Sequence, residues 1–207
     1  MPTAPRRAQT RRIRQESRER IVAAATELVR TTPYAALSVD EVMRQAGLGR
    51  TIFYRHFDDL GDLILRADRE AVDELYETQR LLGEARIGAE PAEVRRAIEP
   101  VVAVYERHGP LLRAIAEAAA ADEHVSAGHR ALRDRFDALV EQALRRVWPP
   151  TTSAPADLGE TARALNHMNE SYLIDAFGRE PRVAPEVAVQ TLTEVWDAVI
   201  HRGRATT

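Results

Sequence analysis

Residues 38 to 57, SVDEVMRQAGLGRTIFYRHF, place two helix signals around a three-residue turn. Ser38 followed three residues later by Glu41 is a capping box: the hydroxyl satisfies one orphan amide at a helix start and the carboxylate another. Gly47 can adopt the left-handed conformation that stops a helix, and the chain restarts after Gly49. Two helices joined by a tight glycine turn form a helix-turn-helix, with Leu48 plugging the angle between them. Ile52, Phe53 and Phe57 supply the inward face of the second helix, so Arg50, Thr51, Tyr54, Arg55 and His56 fall largely outward.

The remaining periodicity is helical throughout. Ile21, Ala25, Leu28 and Val29 follow i, i+4, i+7 and i+8 in a helix that begins near Glu16 and stops before Pro33. Asp58 and Asp59 cap a fourth helix, whose stripe of Leu60, Leu63, Ile64, Ala67, Ala71 and Leu75 runs on to about Gly83. Further helices are expected over 91–108, 110–121, 124–148, 156–177 and 184–202, with a Pro-, Ser- and Thr-rich loop over 148–157. No strand alternation and no internal repeat occurs, and Ala and Leu dominate. The expected fold is all-α with about nine helices. Its units are a basic arm (1–15), a helix-turn-helix unit (16–60) and a larger helical unit (61–207).

Charge divides the chain in the same place. Residues 1 to 57 hold eleven arginines against five acids, whereas residues 58 to 207 hold 18 against 27. A basic front and an acidic rear predict an anionic partner for the first quarter only. Residues 1 to 15 carry five of those arginines, no acid, and Ile13 as the one large residue able to pack, so they read as a disordered arm. There is no cysteine, no apolar run long enough to span a bilayer, and no apolar h-region after the basic start. A cytoplasmic protein that needs neither membrane nor cofactor is the expectation.

In a DNA-binding unit the second helix of the pair enters the major groove, and its N-terminal residues meet base edges. Arg50, Thr51 and Arg55 are then candidates for base edges, and Tyr54 and His56 for phosphate oxygens, with Ser38 at the start of the preceding helix. Arg11, Arg12 and Arg14 of the arm are candidates for minor-groove or phosphate contact.

The string VMRQAGLGRTIFYRHF, followed by an acidic cap and a long fourth helix within the first 65 residues, resembles the TetR family of transcriptional regulators. Two positions depart from the family pattern. Gly49 stands where the family usually has a Ser or Thr cap, and Leu60 where a lysine commonly touches phosphate; the arginine arm supplies charge near that gap. The resemblance implies a homodimer bound to double-stranded operator DNA and a C-terminal chamber for a small effector. It also implies a regulator, most often a repressor, rather than an enzyme.

Within the family, residues 164 to 196 resemble the ethionamide-resistance-regulator branch, carried by LNHMNE, the phenylalanine seven residues after Glu170, EP, and the later tryptophan. That branch implies a hydrophobic ketone- or ester-like effector. The polar anchors would be Asn166 and Asn169, and the lining Val101, Val104, Tyr105, Phe136, Val140, Ile174, Phe177 and Trp196. Leu173, Val187, Leu192, Val195, Val199 and Ile200 are the candidates for the dimer face.

Two rival readings have little support. A helical-bundle enzyme lacks an E-x-x-H pair, a G-x-S-x-G and a phosphate-binding glycine loop, and the histidines have poor metal-ligand spacing. A non-specific architectural protein coating DNA would spread basic charge over the whole body, which the acidic rear does not do.

Overall fold

The computed structural model describes residues 4–67, 69–84, 91–148 and 157–201. Among them there is no strand. The helices are α1 (Ala4–Leu28), α2 (Val39–Ala46), α3 (Arg50–Phe53), α4 (Leu60–Ala67), α5 (Arg69–Glu84), α6 (Pro91–Ala121), α7 (Glu123–Val147), α8 (Leu158–Phe177) and α9 (Pro185–His201), with a 3₁₀ turn at Tyr34–Ala36.

Local chemistry sets most of these boundaries. Ser38 Oγ accepts from Glu41 N at 3.2 Å, while the Glu41 carboxylate lies 3.7 Å from Arg44, so the hydroxyl half of the capping box is formed. Gly47, at φ 64°, ends α2; its N–H and that of Leu48 return to Arg44 O and Met43 O. Asp59, Asp122 and Asp157 cap α4, α7 and α8 through bonds to amides two or three residues on. Ile21, Ala25, Val29, Phe53, Phe57, Leu63 and Ile64 are each no more than 1% exposed and close the core of the first unit.

Two expectations are corrected. The segment read as a disordered arm is helical from Ala4: α1 continues backwards from its packed end. Alanine, arginine and glutamine are good helix formers, Pro5 falls in the first turn where its missing N–H costs nothing, and Arg12 pairs with Glu16 one turn on at 3.2 Å. Residues 9 to 16 are all exposed, so this part of α1 is helical without being packed.

The second correction concerns α6, expected to break at Gly109-Pro110. It runs unbroken for 31 residues with Pro100 and Pro110 inside it. Pro110 lacks the N–H that Glu106 O would accept, and Arg182 Nη1 donates to that oxygen instead at 2.9 Å. The helix expected from residue 58 to about 83 is described as α4 and α5, with residue 68 outside the described residues, as are residues 149–156 of the expected loop.

A partly buried ion pair joins the two halves. Arg113 on α6, 5% exposed, donates to Glu117 Oε1 at 2.6 Å, and Glu117 Oε2 accepts from Tyr34 N at 2.7 Å. Burial alone would raise the Glu117 carboxyl, but the Tyr34 amide and the guanidinium groups of Arg113 and Arg179 outweigh it and hold the group below its ordinary 4.5. A carboxylate depressed in the folded state stabilises the fold above its unfolded value and loses that contribution as pH falls through the folded value. Urea midpoints should therefore fall as the solution is acidified below about pH 4.5, and Glu117→Gln should show a flatter pH dependence. Parallel profiles for the two proteins would refute this assignment.

Candidate nucleic-acid interface and buried cavity

The turn at Gly47 is braced from α1: Arg20 Nη2 donates to Ala46 O at 2.6 Å, filling an acceptor left open at the end of α2. A Cβ on Gly47 would meet that same nitrogen at 3.0 Å. Behind α3, Phe53 and Phe57 are buried and Ile52 and Leu48 pack against the core. After Phe53 the backbone tightens, with His56 N reaching Phe53 O at 2.8 Å. Arg14 Nη2 donates to Arg55 O at 3.1 Å, so this arm residue braces the end of the α3 segment.

Arg50, Thr51, Tyr54 and Arg55 are all exposed around this short helix. Arg50 is not free, however. Its Nη1 lies 2.7 and 2.8 Å from the two oxygens of Asp40 on α2, and its Nη2 donates to the Tyr54 hydroxyl at 3.2 Å. Nothing in the sequence separates Asp40 from other solvated acids; only the turn geometry brings it to Arg50, ten residues on. His56 is half-buried and its pKa is lowered, first by burial and then by the charges of Arg14, Arg18 and Arg55, so near neutrality the ring is uncharged and keeps one N–H to donate. Ser38 is exposed, with its hydroxyl already accepting from α2. Arg11 and Arg12 are exposed on α1.

If Arg11 and Arg12 touch phosphate, their joint replacement by alanine should weaken binding to every duplex. The log–log salt slope should then drop by roughly one unit per lost contact. Unchanged affinity and slope would remove both from the interface. Arg14 is left in place in this test because it supports α3.

In the C-terminal half, α6, α7 and α8, with α5 at the larger and α9 at the smaller, line two adjoining cavities of about 50 and 20 Å³, both bordered by Val101, Asn166 and Asn169. Tyr105, Phe136 and Ile174 line the larger, and Val140 and Trp196 the smaller. Val104 and Phe177, expected in the lining, are buried at 3% and 0% elsewhere in the core and border neither cavity. Trp196 Nε1 donates to Asn169 Oδ1 at 3.0 Å, which fixes the amide orientation and leaves its NH₂ group as the donor end of the side chain. Asn166 Nδ2 donates to Asp137 Oδ1 at 2.8 Å, leaving its carbonyl oxygen as an acceptor.

The larger cavity has a polar wall that the sequence reading missed. His129, Arg133 and Asp137 recur every fourth residue on α7 and face Asn166, His167 and Glu170 on α8. His129 Nε2 lies 2.7 Å from Glu170 Oε1, and Arg133 lies 3.6 Å from Glu170 Oε2. Burial pushes the Glu170 carboxyl up, but the bond to His129 and the charges of His129, Arg133 and His167 leave it below the ordinary carboxylate value, so it is ionised at neutral pH. The four-residue period on α7 was visible in the sequence; which helix it faces was not.

Three of the proposed dimer residues belong to the protomer core. Leu173, Leu192 and Ile200 are 0–2% exposed and have no surface left to offer a partner. Val187 and Val195 are 54% and 37% exposed on α9, and Val199 is partly buried. Leu192 and Ile200, with Trp196, are the buried residues of α9, the helix that packs on α6, and Leu173 is buried on α8.

Comparison with known proteins agrees with this layout. Residues 21–67 match bacterial regulatory proteins of the tetR family, and residues 94–201 match the C-terminal domain of the transcriptional regulator EthR. The HTH-type transcriptional regulator EthR of Mycolicibacterium smegmatis is 30% identical over 185 residues, 85% of this chain and 82% of its own length. That of Mycobacterium tuberculosis strain H37Rv is 28% identical over 203 residues, 95% and 93% of the two chains. Among solved structures, the TetR family regulator PfmR from Thermus thermophilus shares the fold with a TM-score of 0.69 at 23% identity, covering 88% of this chain and 95% of its own.

Proposed function

The chain belongs to the TetR family of transcriptional regulators, and from that premise we propose that it is a homodimeric repressor released from operator DNA by a small, mostly apolar effector. The observation that carries the DNA half of this reading is the exposed set Arg50, Thr51, Tyr54 and Arg55 on α3 and the turn that ends it, directly after the Gly47 turn. That set sits in the basic quarter of an otherwise acidic chain. A second copy related by two-fold symmetry would present a second α3 to a successive major groove. The exposed Val187 and Val195 on α9 support that helix as part of the dimer face.

The effector half rests on the cavity between α6, α7 and α8. Its walls are apolar apart from one side, and the two asparagines offer one donor and one acceptor, suited to a ketone, ester or similar group on a greasy body. At about 50 and 20 Å³ the cavities hold little more than water. A drug-sized molecule needs several hundred Å³, so it can enter only by spreading the helices. A conformation with spread helices binds effector better, and this differential affinity is what can move the recognition helices out of register.

Asn169→Leu tests the anchor. With a compound selected for displacing the wild-type protein from DNA, the variant should keep its DNA affinity to within about twofold and no longer be released. Loss of the Trp196 partner should cost about 1–3 kcal/mol of stability without touching the DNA face. Release equal to wild type would exclude Asn169 as an anchor.

A further inference from the structure

The Arg113–Glu117 pair does more than fill a gap in the core. Arg113 Nε donates to Gly178 O at 3.0 Å and its Nη2 to Val29 O at 2.7 Å. Gly178 is the residue capping the end of α8, and Val29 directly follows the end of α1. One guanidinium therefore serves orphan carbonyls at the C-termini of two helices, where positive charge is also favoured by the helix dipoles. Glu117 completes the junction, taking the Tyr34 amide on Oε2 and Arg113 and Arg179 on Oε1. Tyr34 lies between α1 and α2, and Arg179 just past α8.

These contacts connect two places. α8 carries Asn166 and Asn169 at the cavity; α1 and the Tyr34–Ala36 turn support the helix-turn-helix. We infer that Arg113, oriented by Glu117, is the positioning residue that passes the placement of α8 to the DNA-binding unit. The inference rests on the reading of the chain as an effector-released DNA-binding protein. Its physical basis is the rigid fork of the guanidinium. The fork reaches Gly178 O and Val29 O together in one relative placement of α8 and α1, and a buried charge cannot give up either partner cheaply. A displacement of α8 along its axis then either carries α1 with it or breaks the junction. Close packing stiffens the same spot, because a Cβ on Gly109 would lie 2.4 Å from Phe177 O.

Coupling between sites is reciprocal, so the test can start from DNA and needs no effector. The probe is a duplex recovered by the wild-type full-length chain from a random-sequence pool. Amide hydrogen exchange at residues 174–178 is followed in free and DNA-bound protein, for wild type and for Arg113→Lys. A lysine keeps the charge and the Glu117 partner but has one nitrogen, which cannot serve both carbonyls. Glu117→Gln is the second variant; with a single acceptor oxygen it cannot hold both Tyr34 N and the arginines.

In the wild type, DNA should slow exchange at 174–178 severalfold, and in both variants that DNA-induced change should be lost while the duplex is still bound. A merely structural role would speed exchange in free and bound forms alike and leave their ratio intact, which overturns the inference. Wild-type protein that binds the duplex without any change at 174–178 overturns it as well. If no duplex is enriched by the wild type, the DNA-binding reading itself fails and the inference falls with it.

Discussion

Arg50→Ala should reduce affinity for the operator by roughly 5- to 150-fold, the span of about 1–3 kcal/mol for a lost bidentate base contact. The loss should exceed that of Tyr54→Ala, because removing Arg50 also uncovers the Asp40 carboxylate beside the DNA phosphates. In the free protein that carboxylate sits 2.7 Å from the guanidinium, with side-chain exposures of 57% and 69% for Arg50 and Asp40. An ion pair so open to solvent is screened and contributes little to folding, so thermal stability should hardly change. Adding Asp40→Ala to Arg50→Ala should restore part of the lost binding, since residues in direct contact are non-additive. Equal affinities for the single and double variants in an anisotropy titration would show that Asp40 does not act on DNA through Arg50.

Gly109→Ala should be strongly destabilising for the addition of a single methyl group. The added carbon would fall 2.4 Å from the carbonyl oxygen and 2.6 Å from the carbonyl carbon of Phe177, and backbone cannot swing away as a side chain can. Overpacking of a close-packed core costs about 1–3 kcal/mol, and a clash with backbone belongs at the top of that range. Gly49 provides the control: a Cβ there meets nothing within 4 Å, and serine would add the cap that α3 lacks. Urea unfolding should therefore separate the two substitutions by sign. A Gly109→Ala midpoint within error of wild type would mean that α6 and α8 do not cross as tightly as described.

The helices were legible in the sequence because caps and periodicity are local. Ser38, Gly47 and Asp59 each mark a terminus by chemistry that acts within four residues. The outward set on α3 and the turn after it was legible for the same reason: Phe53 and Phe57 fix which face is inside. What failed depended on distant partners. The continuity of α6 through Pro110 required Arg182, 72 residues later, to take the carbonyl that proline left open. Leu173, Leu192 and Ile200 looked like surplus apolar surface because the sequence does not say how much of α8 and α9 the protomer itself covers. For the arm expected over residues 1 to 15, lack of burial does not decide the conformation of the part from Ala4 onward, because helix propensity and the Arg12–Glu16 pair also bear on it. The cavity was found in part: Asn166, Asn169 and Trp196 follow from spacing and resemblance, whereas the wall of His129, Arg133 and Glu170 exists only once α7 and α8 are paired.

The central claim is that this chain binds specific DNA through the surface around α3. A fluorescence-anisotropy titration against the DNA immediately upstream of its own gene, together with duplexes enriched from a random pool, tests it most directly. Both are run at two salt concentrations with excess random competitor. Tight binding to at least one duplex, resistant to competitor, weakened by salt and lost in Arg50→Ala, is the predicted result. Affinity no better than for random DNA on every fragment, or binding indifferent to Arg50→Ala, would contradict it.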